Sequence, residues 1–198
     1  MRIISKIKGL VFKILEKKRR KSFPNISESS VIPSSVKVYN GANLYMEENT
    51  LIGENSVIMN PRASFTMKKY SFTARELLVI DGNHMPVVGL PKIKVTDAMK
   101  DASPDRDKYN APIVVEEDVW IGARVTLMSG VTIGRGCIVA AGAVVTHSTL
   151  PYSVCGGVPS KFIKFYWNID QIIEHEKLLY PKEMRYTREQ LESICKVE

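Results

Sequence analysis

From Val115 to Leu150 the sequence divides without a slip into six six-residue words, VEEDVW, IGARVT, LMSGVT, IGRGCI, VAAGAV and VTHSTL. Each opens on an aliphatic residue: Val115, Ile121, Leu127, Ile133, Val139 and Val145. A period of six fits neither a helix at 3.6 nor simple strand alternation held over such a length, so a backbone shape must itself recur every six residues. A β-helix, in which flat-sided coils stack on one another, has this property. The fifth residue of each word is small or β-branched (Val119, Val125, Val131, Cys137, Ala143, Thr149), as a second inward position beside a tight corner requires. Gly122 and Gly134, each second in its word, suit a sharp backbone turn.

A weaker form of the pattern runs from Val31 to Arg62, with Val38 and Leu44 six apart and Ile52 and Ile58 six apart. Between these pairs lies a two-residue slip, assigned to a small corner bulge at Glu47 to Thr50. From Met67 to Val79 the pattern blurs, and Leu77 to Ile80 reads as a buried strand leading to Asp81-Gly82-Asn83-His84. Residues 85–112 then leave the register in a span rich in Pro, Asp, Lys and Gly, the mark of a functional or mobile excursion loop. Three units follow: residues 1–30, a basic helix and linker; residues 31–165, the β-helix with its loop; and residues 166–198, a helical cap. The cap holds two short helices, started by Asn168 with Gln171 and by Thr187 with Gln190, each pair spaced for a capping box. They are expected to close the open end of the coil stack.

The net charge of +7 is concentrated in one place: residues 1–22 carry nine basic side chains and one acid, leaving +8 there and −1 for the remainder. In that segment Ile3, Ile4, Ile7, Leu10, Val11, Ile14 and Leu15 recur at helical spacing, so it reads as an amphipathic basic helix. Two placements stand open: on an anionic membrane surface, or packed on the β-helix or a neighbouring subunit. The basic run lacks interleaved aromatics, which argues against nucleic acid as a partner. No apolar stretch approaches the roughly 18 residues that span a bilayer, and lysines interrupt the one candidate signal-peptide core. Cys137, Cys155 and Cys195 form no paired spacing, so a reducing, cytoplasmic setting is expected.

Trp120-Ile121-Gly122-Ala123, Gly130-Val131-Thr132-Ile133-Gly134, Ala140 to Thr146 and Gly157-Val158-Pro159-Ser160-Lys161, together with His84, cover roughly residues 80 to 167. In these markers the chain resembles the hexapeptide-repeat acyltransferases, in particular the branch of sugar and antibiotic O-acetyltransferases. The resemblance implies a mainly β fold, a left-handed parallel β-helix, assembled as a homotrimer with each active site shared between adjacent prisms. It also implies acetyl-CoA as co-substrate, with His84 as general base and the backbone N–H of Ala123 as oxyanion donor. Trp120, Gly122, Ala123, Ala141, Gly142, Thr146, Lys161 and Lys164 match positions that line the cofactor in relatives. For Trp120 a subunit contact is the competing role, and for the two lysines a solvated edge.

The chemistry of His84 supports that assignment, because an imidazole with a pKa near 6.5 can take a proton from an alcohol at neutral pH. Asn83 and Asp81 stand beside it as candidate substrate contacts, and Asp81 or Asp118 as the group that orients its ring. His147 occupies a place where relatives frequently carry lysine, and His175 reads as surface or packing. A zinc hydrase would need three histidines converging on one metal, which these contexts do not offer, so no metal is expected. The expected reaction is direct acetyl transfer to a hydroxyl of a soluble or lipid-linked saccharide, in capsule, O-antigen or exopolysaccharide assembly. Antibiotic acetylation, serine acetylation and a non-catalytic scaffold are the alternatives.

Overall fold

The computed structural model describes residues 18–196, so the apolar positions of the N-terminal helix lie outside the described residues. Three five-stranded sheets form the body. The first contains Asn25–Ile26, Leu44–Met46, Phe65–Met67, Ile113–Val115 and Thr132–Ile133, all parallel. The second contains Phe72–Thr73, Trp120–Ile121, Ile138–Val139, Ser153–Gly156 and, antiparallel, Lys161–Phe165. The third contains Lys37–Val38, Val57–Met59, Leu78–Ile80, Thr126–Met128 and Val144–Val145. From Phe65 to Val145 successive strands visit the three sheets in turn, one rung to each face per coil, and in the earlier coils the second face is supplied by the bridges of Val31 and Leu51.

The six-residue period arises because each face buries a column of cross-rung side chains and each corner a second, smaller one that includes Val119, Val125 and Val131. Ile26, Met46, Met67, Val115 and Ile133 are cross-rung partners on the first face, and Val38, Ile58, Val79, Leu127 and Val145 on the third. On the second face Thr73, Ile121, Val139 and Cys155 are in register. Thr73 explains the apparent blur after Met67: the spacing Met67, Thr73, Val79 is regular, but one inward position is polar. It is 1% exposed, accepts a hydrogen bond from the Gly53 N–H (2.9 Å) and donates to the Ala74 carbonyl.

The slip expected at Glu47 to Thr50 is not there, since that corner aligns with Glu116 to Val119. The extra residues lie between Val38 and Met46, where a short 3-10 turn, Gly41–Asn43, fills the corner. Leu44 and Met46 are both buried in the core, and phasing on Leu44 displaced the slip. The longer intervals, Val38 to Met46, Ile58 to Met67 and Val79 to Val115, all fall at the corner between the third and first faces. A buried polar ladder seals it: the Asn40 N–H donates to Asn60 Oδ1 (3.1 Å), and Asn60 Nδ2 donates to the Asn40 carbonyl (2.9 Å).

The coils stack so closely at Gly122 that a Cβ there would sit 2.6 Å from the Ala141 nitrogen and 2.9 Å from the Val139 oxygen. Both are backbone atoms of the next coil, which cannot swing aside. Gly122→Ala is therefore expected to lower stability by about 1–3 kcal/mol, the usual range for overpacking. An unchanged urea midpoint would show that the coils separate freely at this corner.

Helix α1 (Asp97–Asp101) lies in the excursion loop, and α2 (Ile169–Leu179) and α3 (Arg188–Cys195) form the C-terminal cap. Both capping boxes are present, at Asn168 with Gln171 and at Thr187 with Gln190. The cap does not close the end of the stack. It runs along the corner between the first and second faces, where Tyr166 donates to the Gly136 carbonyl and His175 meets Asp118. Further along, Leu179, Tyr180, Pro181 and Met184 share a cavity wall with Lys68, Lys69 and Tyr70. The lateral placement follows from burial: Tyr152, Ile172 and Leu191 form a second apolar cluster beside the prism. At the other end, the Arg19 guanidinium donates to the Ile32 and Val36 carbonyls (both 2.9 Å), fastening residues 18–20, which are helical, to the first coil.

Candidate functional site

His84 leaves the prism four residues beyond Ile80, at the corner that collects the insertions. The loop's root is pinched by an antiparallel bridge between Gly82 and Asn110 and by the Asn83 N–H donating to the Tyr109 carbonyl (2.8 Å). Met85 is buried behind it, so the exposed His84 and half-buried Asn83 are held by backbone and by one apolar anchor. Among the described residues no hydrogen bond reaches the His84 ring.

Two candidates for work at this histidine fall away. Asp81 is fully buried, and its Oδ2 accepts from the N–H groups of Arg62 (3.3 Å) and Ala63 (2.7 Å), so it closes a corner of the prism. Burial raises its carboxyl above the ordinary range, while those two amides pull it back down. Asp118 lies at a different corner and pairs with His175 (3.1 Å), which in turn packs on Trp167 at 4.5 Å. Burial raises the Asp118 carboxyl, partly offset by His175. Neither carboxylate orients the His84 ring.

The other candidate residues gather near the corner between the second and third faces. Trp120 projects outward, 47% exposed, with its ring stacked on Phe72 at 6.2 Å and 12°. Gly122 donates to the Val139 carbonyl and Arg124 to that of Arg75, but the intervening Ala123 N–H has no acceptor among the described residues. The Ala141 N–H is unpaired in the same way and lies one rung, roughly 4.8 Å, above it. Gly142 donates to the Ala123 carbonyl (2.8 Å), fixing the two turns together, and its φ of +73° is the left-handed conformation that glycine adopts without strain. Two adjacent free amides beside an exposed indole form a surface able to receive a polar, extended ligand.

Higher on the prism, Ser160 donates its N–H to the Val144 carbonyl and Gly157 accepts from Val144, tying the hairpin that carries Lys161 and Lys164 to the last coil. Both lysines are exposed. Lys161, His147, Ser160 and Cys155 line a cleft of about 300 Å³. The Thr146 hydroxyl bonds His147 Nδ1 (2.9 Å), so Thr146 reaches this cleft through its neighbour. Cys137 and Cys155 are free thiols inside the prism with sulfurs 4.0 Å apart.

One separation decides how such a surface could be completed. His84 and Ala123 stand at opposite edges of the third face, on the order of 15 Å apart at about 3.3 Å per extended residue. Within one prism the imidazole and the free amides do not converge. The sequence also gave no sign of Phe72 as the support of Trp120, nor of Arg62 as a partner of the loop. Those pairings span 48 and 39 positions, and only cross-coil register creates them.

Residues 112–147 match the family model described as bacterial transferase hexapeptide (six repeats). Among curated relatives, a probable macrolide acetyltransferase from Lysinibacillus sphaericus is 48% identical over 56 residues, 28% of this chain and 31% of the relative. A 2,3,4,5-tetrahydropyridine-2,6-dicarboxylate N-acetyltransferase from Staphylococcus aureus (strain JH9) is 46% identical over 54 residues, 27% of this chain and 23% of the relative. The matches thus span less than a third of the length of these relatives. Among solved structures, a maltose O-acetyltransferase from Clostridium difficile 630 aligns with TM-score 0.64 at 21% identity, over 77% of this chain and 75% of that one. A hexapeptide-repeat acetyltransferase from Vibrio cholerae O1 biovar eltor, complexed with acetyl coenzyme A, aligns with TM-score 0.61 at 23% identity, over 75% and 74%. An N-acyltransferase from Bacillus cereus, in complex with dTDP and coenzyme A, aligns with TM-score 0.58 at 17% identity, over 82% and 95%. At these identities the structural likeness is one of fold. The chain therefore carries the bacterial transferase hexapeptide repeat, in residues 112–147, and folds as the hexapeptide-repeat acetyltransferases do.

Proposed function

We propose that the protein is an acetyl-CoA-dependent O-acetyltransferase acting on a sugar hydroxyl, with the left-handed winding that its resemblance implies. The observation that carries this reading is the pair of unpaired amides, Ala123 and Ala141, beside the exposed Trp120 on a hexapeptide prism that also presents an exposed histidine. Acetyl-CoA supplies the activated acetyl group as a thioester. Its pantetheine arm suits the free amides and the small Gly122, Ala141 and Gly142, and its phosphates suit Lys161, Lys164 and Thr146.

His84 accepts the proton of the acceptor hydroxyl as the oxygen attacks the thioester carbonyl, and returns it to the departing thiolate. The Ala123 N–H donates to the oxyanion, a contribution commonly worth roughly 3–4 kcal/mol. Because His84 and Ala123 occupy opposite edges of one face, the reaction needs the histidine of one protomer and the amide of its neighbour, in a homotrimer. The half-buried Asn83 beside His84 is the candidate contact for the acceptor. The similarity to a macrolide acetyltransferase supports a second acceptor class, an antibiotic hydroxyl.

No helix among the described residues is long and apolar enough to cross a membrane. The +8 charge of residues 1–22 favours peripheral contact with the inner, cytoplasmic membrane surface and a lipid-linked acceptor, as in capsule, O-antigen or exopolysaccharide assembly. The deciding experiment follows thiol release from acetyl-CoA with soluble sugars, macrolides, and lipid-linked glycans in anionic vesicles, with vesicle flotation of the protein in parallel. Turnover on glycans is expected, highest in vesicles that carry the protein with them. Turnover confined to macrolides, or none with any acceptor, sinks the sugar assignment.

A further inference from the structure

We infer that Arg62 is a positioning residue for His84, acting through the excursion loop; this rests on the acetyltransferase reading above. The turn at residues 61–63, one coil below the loop, holds it at two points. Its backbone grips the root, because the N–H groups of Arg62 and Ala63 bond Asp81 Oδ2, three residues before His84. Its side chain grips the body: Arg62 Nη2 donates to both oxygens of Asp101 (2.6 and 2.8 Å), and Nη1 lies 3.2 Å from Asp97 Oδ2. Asp97 and Asp101 are the first and last residues of α1, whose first turn is capped by the Thr96 hydroxyl.

The remaining contacts of the loop show why this clasp matters. From His84 to Lys108 the backbone bonds are internal, Leu90 to Val87, Lys94 to Pro91, Val95 to Lys92 and onward through α1. Among the described residues, apart from the Tyr109 N–H bonding the Arg106 carbonyl where the loop returns (3.0 Å), Arg62 makes the only hydrogen bonds and ion pairs that join residues 84–108 to the rest of the chain. Lys100 also approaches Asp97 (3.3 Å), but from within the loop, so it stiffens α1 without tethering it.

Exposed ion pairs add little to stability, and the Arg62 side chain is 32% exposed, so the clasp is not a strong stabiliser. Its consequence is geometric. A reacting group displaced by about 1 Å can lose up to about 10²-fold in rate, and among the described residues His84 has no hydrogen-bonded side-chain partner to resist displacement. A bidentate guanidinium reaches two carboxylates at once, which a lysine ammonium does not.

The test compares Arg62→Ala, Arg62→Lys and the exchanged pair Arg62→Asp with Asp101→Arg, by steady-state kinetics and by amide hydrogen exchange over residues 85–108. In every variant the backbone of residue 62 still holds Asp81, so the root is untouched. Arg62→Ala is expected to lower kcat about tenfold, leave acetyl-CoA binding and the melting temperature unchanged, and accelerate exchange in the loop. Arg62→Lys should fall between, and the exchanged pair should recover part of kcat. Raising salt toward 1 M, where screening acts within about 3 Å, should slow the parent protein but not Arg62→Ala. Unchanged exchange in Arg62→Ala, or faster exchange with kcat intact, overturns the inference. If no acceptor turns over in the parent protein, the acetyltransferase reading fails, and exchange alone still decides whether Arg62 holds the loop.

Discussion

His84→Ala is expected to lower turnover by about 10² to 10⁴ while acetyl-CoA binds almost as before. The size follows from the role: without an imidazole the hydroxyl must shed its proton to water in the transition state, and the thiolate must leave unassisted. Binding is expected to be spared because the Ala123 and Ala141 amides lie at the far edge of the third face from His84, and Trp120 and the two lysines lie on the second face. The change also costs little stability, since the ring is exposed and makes no hydrogen bond among the described residues. Isothermal titration with acetyl-CoA and thiol-release kinetics on the same preparation check both halves. Turnover within a few-fold of the parent protein would remove His84 from the chemistry, and binding without turnover in both proteins would point to a scaffold.

The largest loss of stability is expected from Arg135→Met. Arg135 Nε lies 3.1 Å from Glu117 Oε2 and Nη1 lies 3.1 Å from Glu176 Oε1, with side-chain exposures of 11%, 7% and 1%. The same guanidinium donates to the Met184 carbonyl (2.7 Å) and stands 4.5 Å from the Tyr180 ring centre and 5.1 Å from that of Tyr186. Tyr152 donates its hydroxyl to Glu176 (2.9 Å), and burial together with Glu176 raises that phenol far above its ordinary range. Among the described residues, removing the guanidinium leaves the buried Glu176 with only the Tyr152 hydroxyl and the Tyr186 N–H, and Glu117 with only Lys68, at 3.7 Å, as a cation, a loss of about 3–5 kcal/mol.

Its pH dependence has a definite sign. Burial pushes the Glu117 carboxyl up, but its own backbone amide, Arg135 and Lys68 outweigh this and hold it below the ordinary value of 4.5. In the parent protein Glu117 therefore stabilises the fold above about pH 4.5, and the contribution disappears as pH falls below that. In Arg135→Met the burial that pushes the Glu117 carboxyl up loses a main opposing cation, so the penalty is full at neutral pH and shrinks as Glu117 protonates on acidification. Urea unfolding at pH 7 and pH 5, read from Trp167 in the cap, should show the two proteins converging toward acid. A parent-like midpoint at pH 7 would mean that the cap is held by its apolar contacts alone.

Much of the fold was legible because it is repetitive: six inward aliphatics from Val115 to Val145 state the period, and Gly122 marks a corner that a larger residue would break. Where the inward residue was Thr73, the same geometry went unseen, since hydropathy does not register a hydroxyl satisfied by the next coil. Of the candidate site, the exposure of His84 at the root of the loop and the turns at Ala123 and Ala141 could be anticipated, because motif and loop position are local properties. Asp81 could not be placed from sequence: beside an exposed histidine it looks like a partner, yet in space it is a rung in a buried corner.

The sequence by itself determined the coil, its period and the residue types on offer at each corner, because these depend on contacts repeated every six residues. Only the tertiary structure decided that the insertions share one corner, that the cap lies along the prism's side and that Asp118 serves His175. The reason is range. Arg135 finds Glu176 across 41 positions and Arg62 finds Asp101 across 39, and such distances close only when coils wound elsewhere in the chain have stacked into register.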